Sequence, residues 1–146
     1  MKKSAVTATL VCVLFFFALL VAMLFLAPFL ARWYVQMRAM QQEIGTVILI
    51  AFYICVLPAA TALACIYLLL QNIRREQLFC NRNCKLMSVI SWCCLAVALV
   101  TFAAGFWYTP FFFITGAMLF ISLIVRVVRL CFVAAAALKE ENSLTI

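Results

Sequence analysis

Apolar residues are gathered into four long stretches along the chain, and charged residues lie mostly in the short breaks between them. The stretches predict membrane spans at about residues 5–31, 44–71, 86–108 and 111–138. A helix needs about 20 residues to cross roughly 30 Å of hydrocarbon, and the stretches meet that length. The first is apolar without the alternation typical of a barrel strand. We therefore predict an all-α membrane protein, with four transmembrane helices in one antiparallel up-down bundle over residues 1–146.

Composition excludes a soluble domain and argues against an enzyme. Hydrophobic residues make up 71% of the chain and charged residues only 10%, more apolar surface than a small soluble fold can bury. The chain has no histidine, and its four acidic residues are glutamates that lie outside the spans, at positions 43, 76, 140 and 141. Neither an acid–base site nor a buried acidic residue for proton transport is provided. We expect no catalytic residue and no cofactor.

Lysine and arginine positions predict the orientation in the cell membrane. Four spans place both termini on one side, and short loops rich in these residues stay cytoplasmic. The terminal side carries seven such residues outside the spans: Lys2, Lys3, Arg74, Arg75, Arg82, Lys85 and Lys139. The first hairpin tip carries Arg32 and Arg38, and the second none. Both termini are therefore predicted to be cytoplasmic. The +7 net charge follows this topology, and we expect no direct nucleic-acid binding.

The second and fourth spans are longer than the bilayer requires on the predicted cytoplasmic side. In the second, helical apolar spacing continues from Ile66 to Ile73, which predicts an extension of the helix. The fourth is interrupted by Arg126 and Arg129, and residues 130–138 are apolar again. The arginines lie either within the bilayer or at its inner edge. The edge is favoured, because an arginine at the centre of a span costs about 2.5–3.5 kcal/mol. Residues 130–138 then need a cover from helix 2, a second copy or a partner.

Several residues are candidates for contact with lipid headgroups or with a partner. The basic ones gather at the predicted cytoplasmic boundary, where they are positioned to meet anionic headgroups, an acidic partner or the acidic tail. The tail, residues 139–146, supplies acidic and apolar candidates. The full set is Arg74, Arg75, Arg82, Lys85, Arg126, Arg129, Glu140, Glu141, Leu144 and Ile146.

Two further features admit a structural and a functional interpretation. Pro58 predicts a kink in the second span, which is either ordinary packing or a hinge. Cys80 and Cys84 are four residues apart, a weak metal or redox signal that no histidine or aspartate completes, so no metal site is predicted.

Residues 32–43 between the first two spans are interpreted as a connecting loop, with a helix lying on the membrane surface as the alternative.

Two segments resemble a known family. Residues 78–86, LFCNRNCKL, resemble the loop of the YoaS-like bacterial four-span membrane proteins of unknown function, which usually reads Pro-Phe-Ser-x-x-Asn. Residues 138–146, LKEENSLTI, resemble that family's closing Leu-x-x-Glu-Asn-x-Leu-Thr-Val/Ile. Here Leu78 replaces the proline and Cys80 the serine.

The resemblance implies a partner, because members of that family are commonly encoded beside a small helix-turn-helix transcription regulator. We therefore expect a non-enzymatic membrane protein that sequesters or signals to such a regulator through the ends of helices 2 and 4 and the tail. Two alternatives stay open. One is a small transporter or channel formed by a homo-oligomer, and the other is an accessory or assembly subunit of a larger membrane complex.

Overall fold

A computed structural model describes residues 2–75 and 81–144, and these form four long α-helices. Helix α1 covers Lys2–Met37, α2 Gln42–Arg74, α3 Asn81–Gly105 and α4 Pro110–Leu144. Each is long and apolar enough to cross a membrane. The predicted all-helical fold with four spans is confirmed, and the chain is a multi-pass membrane protein.

The helices are longer than the predicted spans. Most of their limits extend beyond the apolar stretches, because the backbone hydrogen bonds continue into the neighbouring polar residues. The exception is the end of α3 at Gly105, three residues before the predicted limit of 108, where the turn at 106–109 begins. The predicted tail is helical in its described part, since α4 continues to Leu144. Between α1 and α2 only residues 38–41 form a turn, with Ala39 at φ 47° and the Met40 N–H donating to the Val35 carbonyl. The prediction of a loop over residues 32–43 is therefore wrong for residues 32–37 and 42–43, which are helical.

Each helix packs antiparallel against the next helix in the chain. The Tyr53 hydroxyl of α2 donates to the Leu24 carbonyl of α1 at 3.3 Å. Between α2 and α3, Asn72 Nδ2 donates to Asn83 Oδ1 at 2.8 Å. Within the described chain, α1 and α4 do not pair, so α2 and α3 are the two inner helices, each with a neighbour on two sides.

The core follows from this arrangement, because α3 is covered by both α2 and α4. Its buried positions recur every three or four residues, as one face of a helix requires. Cys65 of α2 packs there with Ile90 and Cys94 of α3. Large apolar side chains on the outer faces stay exposed, Phe113 to 81% for instance, as expected of a surface solvated by lipid.

The bundle has two different ends. The hairpin end carries the turns at residues 38–41 and 106–109, and the terminal end carries the start of α1, the end of α2, the start of α3 and the end of α4. At the hairpin end the hydroxyls of Tyr34 and Tyr108 are hydrogen-bonded, and this bond raises the pKa of Tyr108. The bond fastens the α3–α4 turn to α1. An apolar groove of about 380 Å³ lies beside it, with Met23, Phe52 and Phe111 in its lining.

Candidate functional site at the terminal end

The basic residues predicted from sequence lie at the terminal end. Arg74 and Arg75 are at the end of α2, and Arg82 and Lys85 are in the first turns of α3. These four side chains are exposed. They reach the same end of the bundle from two neighbouring helices, as the antiparallel fold requires.

Two pairs of hydroxyls hold α3 against α4. Thr101 and Thr115 have hydroxyl oxygens 2.9 Å apart, and those of Ser91 and Ser122 are 3.0 Å apart. The two serines are 3% exposed or less. Small polar residues allow helix backbones to approach closely in a membrane and then bond across the contact. These pairs also set the register, in which Ser122 is level with Ser91.

Arg126 extends the serine pair towards the terminal end. Its Nε donates to the Ser91 hydroxyl at 3.1 Å, and its guanidinium lies 5.7 Å from the ring centroid of Trp92. Both partners belong to α3, so α3 determines where this charge is held. A cavity of about 330 Å³ opens beside it, which we call the arginine pocket. Its lining consists of Ser88, Ser91, Trp92, Arg126, Arg129 and Leu130.

The register separates the two arginines of α4 by depth. Since Ser91 is level with Ser122, Arg129 lies near the level of Lys85. Lys85 precedes Ser91 by six residues, about 9 Å along the helix axis. If Lys85 marks the membrane surface, we expect Arg129 at the edge of the hydrocarbon and the Arg126 guanidinium inside it. The depth of the two arginines in the bilayer stays a prediction, and the structure supplies their order along the bundle.

Helix α4 continues well past the other helices at the terminal end. The pairs between neighbouring helices place the end of α2 and the start of α3 near the level of residue 132 of α4. We call residues 131–144 the α4 overhang. Val133 is 47% exposed, and Leu138 and Leu144 are 64% and 86% exposed. Phe132, Ala135 and Ala136 on the other face are half-buried. The overhang therefore exposes apolar side chains beyond the bundle, and Ala134, Ala137 and Leu138 form one exposed stripe among them.

The acidic tail residues lie far along this overhang. Glu140 follows Arg129 by eleven residues, about 16 Å along one continuous helix. Glu141 is in the same turn as Glu140, and both are exposed. The structure therefore does not bring these glutamates onto Arg126 and Arg129. Ile146, the last candidate contact in the tail, lies outside the described residues.

The remaining candidates are dispersed. Pro58 is half-buried inside α2, which continues as a helix through it. Cys84 is half-buried in the first turn of α3, and Cys80 lies outside the described residues. Among the described residues, no three side chains of the metal-binding types are grouped as a site.

Sequence reasoning missed the residues of α3 that hold Arg126. Ser91 and Trp92 contact Arg126 directly, and together with Ser88 they are spaced i, i+3 and i+4, so the three share one face of α3. This polar face was the available signal. It identifies a helix contact, but it does not say which distant residue makes that contact.

Comparison with known proteins gives a family. No curated protein and no solved structure matches the chain. The family model described as "Protein of unknown function (DUF2975)" matches residues 30–146, from the last turns of α1 to the end of the chain. The expectation of an uncharacterised family is confirmed, and the resemblance of the loop and tail to the YoaS-like proteins stays a prediction. Since the match covers well over half of the chain, the protein belongs to the DUF2975 family.

Proposed function

We propose that this protein is a YoaS-like, non-enzymatic membrane anchor that holds a small helix-turn-helix regulator at the cytoplasmic face of the membrane. The docking element is the α4 overhang. The proposal combines the resemblance of the loop and tail with the shape of the terminal end. It also takes this end to be cytoplasmic, as the distribution of lysine and arginine predicts.

The exposed apolar stripe of the overhang is the observation that supports the proposal most strongly. Ala134, Ala137 and Leu138 are spaced i, i+3 and i+4 and are all exposed. An exposed apolar helix face docks into an apolar groove on a partner, with residues at such spacings as anchors. Water disfavours the stripe when it is uncovered. A partner that covers it gains apolar burial without having to order the helix first.

The polar groups within the spans favour an anchor over a transporter. The hydroxyls of Thr101 and Thr115 bond to each other, as do those of Ser91 and Ser122. Thr61 donates to the Leu57 carbonyl of its own helix. These hydroxyls bond to other groups of the bundle. The arginine pocket is lined by residues near the terminal end of α3 and α4, whereas a transport path needs polar groups along a cavity that crosses the membrane.

Removal of the tail tests the proposal. We expect a chain that lacks residues 139–146 to release the regulator, because the stripe then ends at an exposed helix terminus. Leu138→Ser should also release it, since it removes one anchor without shortening α4. The measurement is the fraction of the helix-turn-helix protein encoded in the adjacent gene that sediments with membranes.

A matched substitution at the opposite end serves as control. Met37 closes α1 at the hairpin end and is 70% exposed. Met37→Ser should leave the regulator on the membrane, because this residue is predicted to lie on the other side of the bilayer. The proposal fails if the truncated chain and Leu138→Ser both retain the regulator as well as the unaltered chain does.

A further inference from the structure

The arginine pocket has the chemistry of a phosphate site. Guanidinium groups from Arg126 and Arg129 line it together with the hydroxyls of Ser88 and Ser91. Arginine presents N–H groups in a planar fork that matches two phosphate oxygens, and the Ser88 hydroxyl can donate to a third. The Ser91 hydroxyl bonds to Ser122 and accepts from Arg126, so its role is to orient the fork. Lys85 lies one helical turn before Ser88 on the same face of α3 and adds positive charge at the entrance.

The guanidinium of Arg126 is held in a fixed direction. Nε is bonded to Ser91 Oγ, and the plane lies against the Trp92 ring. Within the described chain, the two terminal nitrogens of this guanidinium have no hydrogen-bond partner. A fork that is oriented by one bond loses little side-chain entropy when its other nitrogens bind an anion.

The described residues place no carboxylate in this pocket. Glu43 is at the hairpin end, and Glu140 is about 16 Å beyond Arg129 along α4. Glu76 lies outside the described residues. A guanidinium that lies inside the hydrocarbon boundary is costly unless an anion compensates it.

We propose that the arginine pocket binds the phosphate group of an anionic phospholipid from the leaflet at the terminal end. Depth favours a lipid over a soluble anion, because the Ser91 level lies about 9 Å below Lys85 and a soluble phosphate would have to leave water to reach it. A lipid brings its phosphate to this depth with its acyl chains already in hydrocarbon. Trp92 and Leu130 at the pocket are 62% and 67% exposed, and they offer apolar surface to those chains. This binding is independent of the regulator and of the overhang.

Native mass spectrometry of the purified full chain in detergent tests the proposal. Phosphatidylglycerol should remain bound, and phosphatidylcholine should not. Arg126→Gln should weaken retention of phosphatidylglycerol about tenfold, because it removes a charge-assisted pair of bonds. Arg129→Gln should weaken it as well. Because Arg129 is exposed, this variant decides the question if Arg126→Gln does not fold.

Arg38→Gln is the matched control, since Arg38 lies over the Tyr34 ring at 5.7 Å, the same distance as Arg126 over Trp92, but at the hairpin end. It should leave retention unchanged. Equal retention of the two lipids, or equal loss with Arg38→Gln and Arg129→Gln, overturns the proposal. Displacement of phosphatidylglycerol by an equimolar amount of inorganic phosphate overturns it too, because the pocket would then be a site for a soluble anion.

Discussion

Ser122→Leu is expected to separate α3 from α4 and to lower the melting temperature of the detergent-solubilised protein by many degrees. Ser122 is 3% exposed, and its hydroxyl is 3.0 Å from that of Ser91. A leucine there has no room and cannot replace the bond. Overpacking of this kind costs about 1–3 kcal/mol, and the loss of the hydroxyl pair adds about 0.6 kcal/mol. Arg126 also loses its support, because Ser91 moves away with α3.

Two companion substitutions separate the causes. Ser122→Ala removes the hydroxyl without adding volume, so it should cost only the smaller amount, about 0.6 kcal/mol. Ala117→Leu adds the same side chain on the same helix at an exposed position, and it should leave the melting temperature unchanged. If Ser122→Leu and Ala117→Leu have the same melting temperature, the close contact of α3 and α4 is wrong.

Gly45→Ala is expected to disrupt the contact of α1 with α2. A Cβ at position 45 would lie 2.9 Å from Cγ2 of Val35, closer than such contacts occur. Val35 is only 7% exposed, and its β-branched side chain cannot rotate away freely. The two helices must therefore move apart, and we expect a loss of about 1–3 kcal/mol in thermal unfolding of the solubilised protein.

Gly116→Ala provides the control for this second substitution, since nothing lies within 4 Å of a Cβ at that position. It should be neutral or slightly stabilising, because alanine favours helix more than glycine. Val35→Ala removes the atom that clashes, so the double variant Gly45→Ala, Val35→Ala should be more stable than the sum of the two single losses predicts. Strictly additive losses would show that these residues are not in contact.

The length of the apolar stretches was sufficient to predict the fold. Continuous apolar sequence over 20 or more residues leaves few options for the backbone in lipid, so the number and type of elements follow directly. The helix limits were less predictable. The chain from Arg32 to Met37 is polar enough to suggest a loop. The helical backbone hydrogen bonds of α1 nevertheless continue to Met37, because no glycine or proline interrupts them.

The terminal end shows where sequence reasoning stops. Arg126 and Arg129 could be singled out, because charge within an apolar stretch is unusual. Their depth could not be predicted, since it depends on the register between α3 and α4. That register is set by Ser91 and Ser122, which lie thirty-one residues apart in the chain. The length of the overhang depends on the same register, because it is measured against the ends of the other helices.

The terminal end carries two separate features with different expected roles. The arginine pocket is the proposed lipid site, and the stripe from Ala134 to Leu138 lies beyond the level of α2 and α3. A partner held on this stripe would lie beside the basic residues Arg74, Arg82 and Lys85, which favours a partner with an acidic surface there. The pocket and the stripe are separated along α4, so the lipid and partner experiments probe different residues.

Photo-cross-linking in intact cells tests the docking role of the overhang most directly. A benzophenone amino acid is placed at Leu138 in one chain and at Met37 in another, both of which are exposed apolar positions. Irradiation should yield an adduct with the adjacent-gene regulator from position 138 and none from position 37. An adduct from position 37, or none from position 138, would contradict the assignment of the α4 overhang as the cytoplasmic docking element.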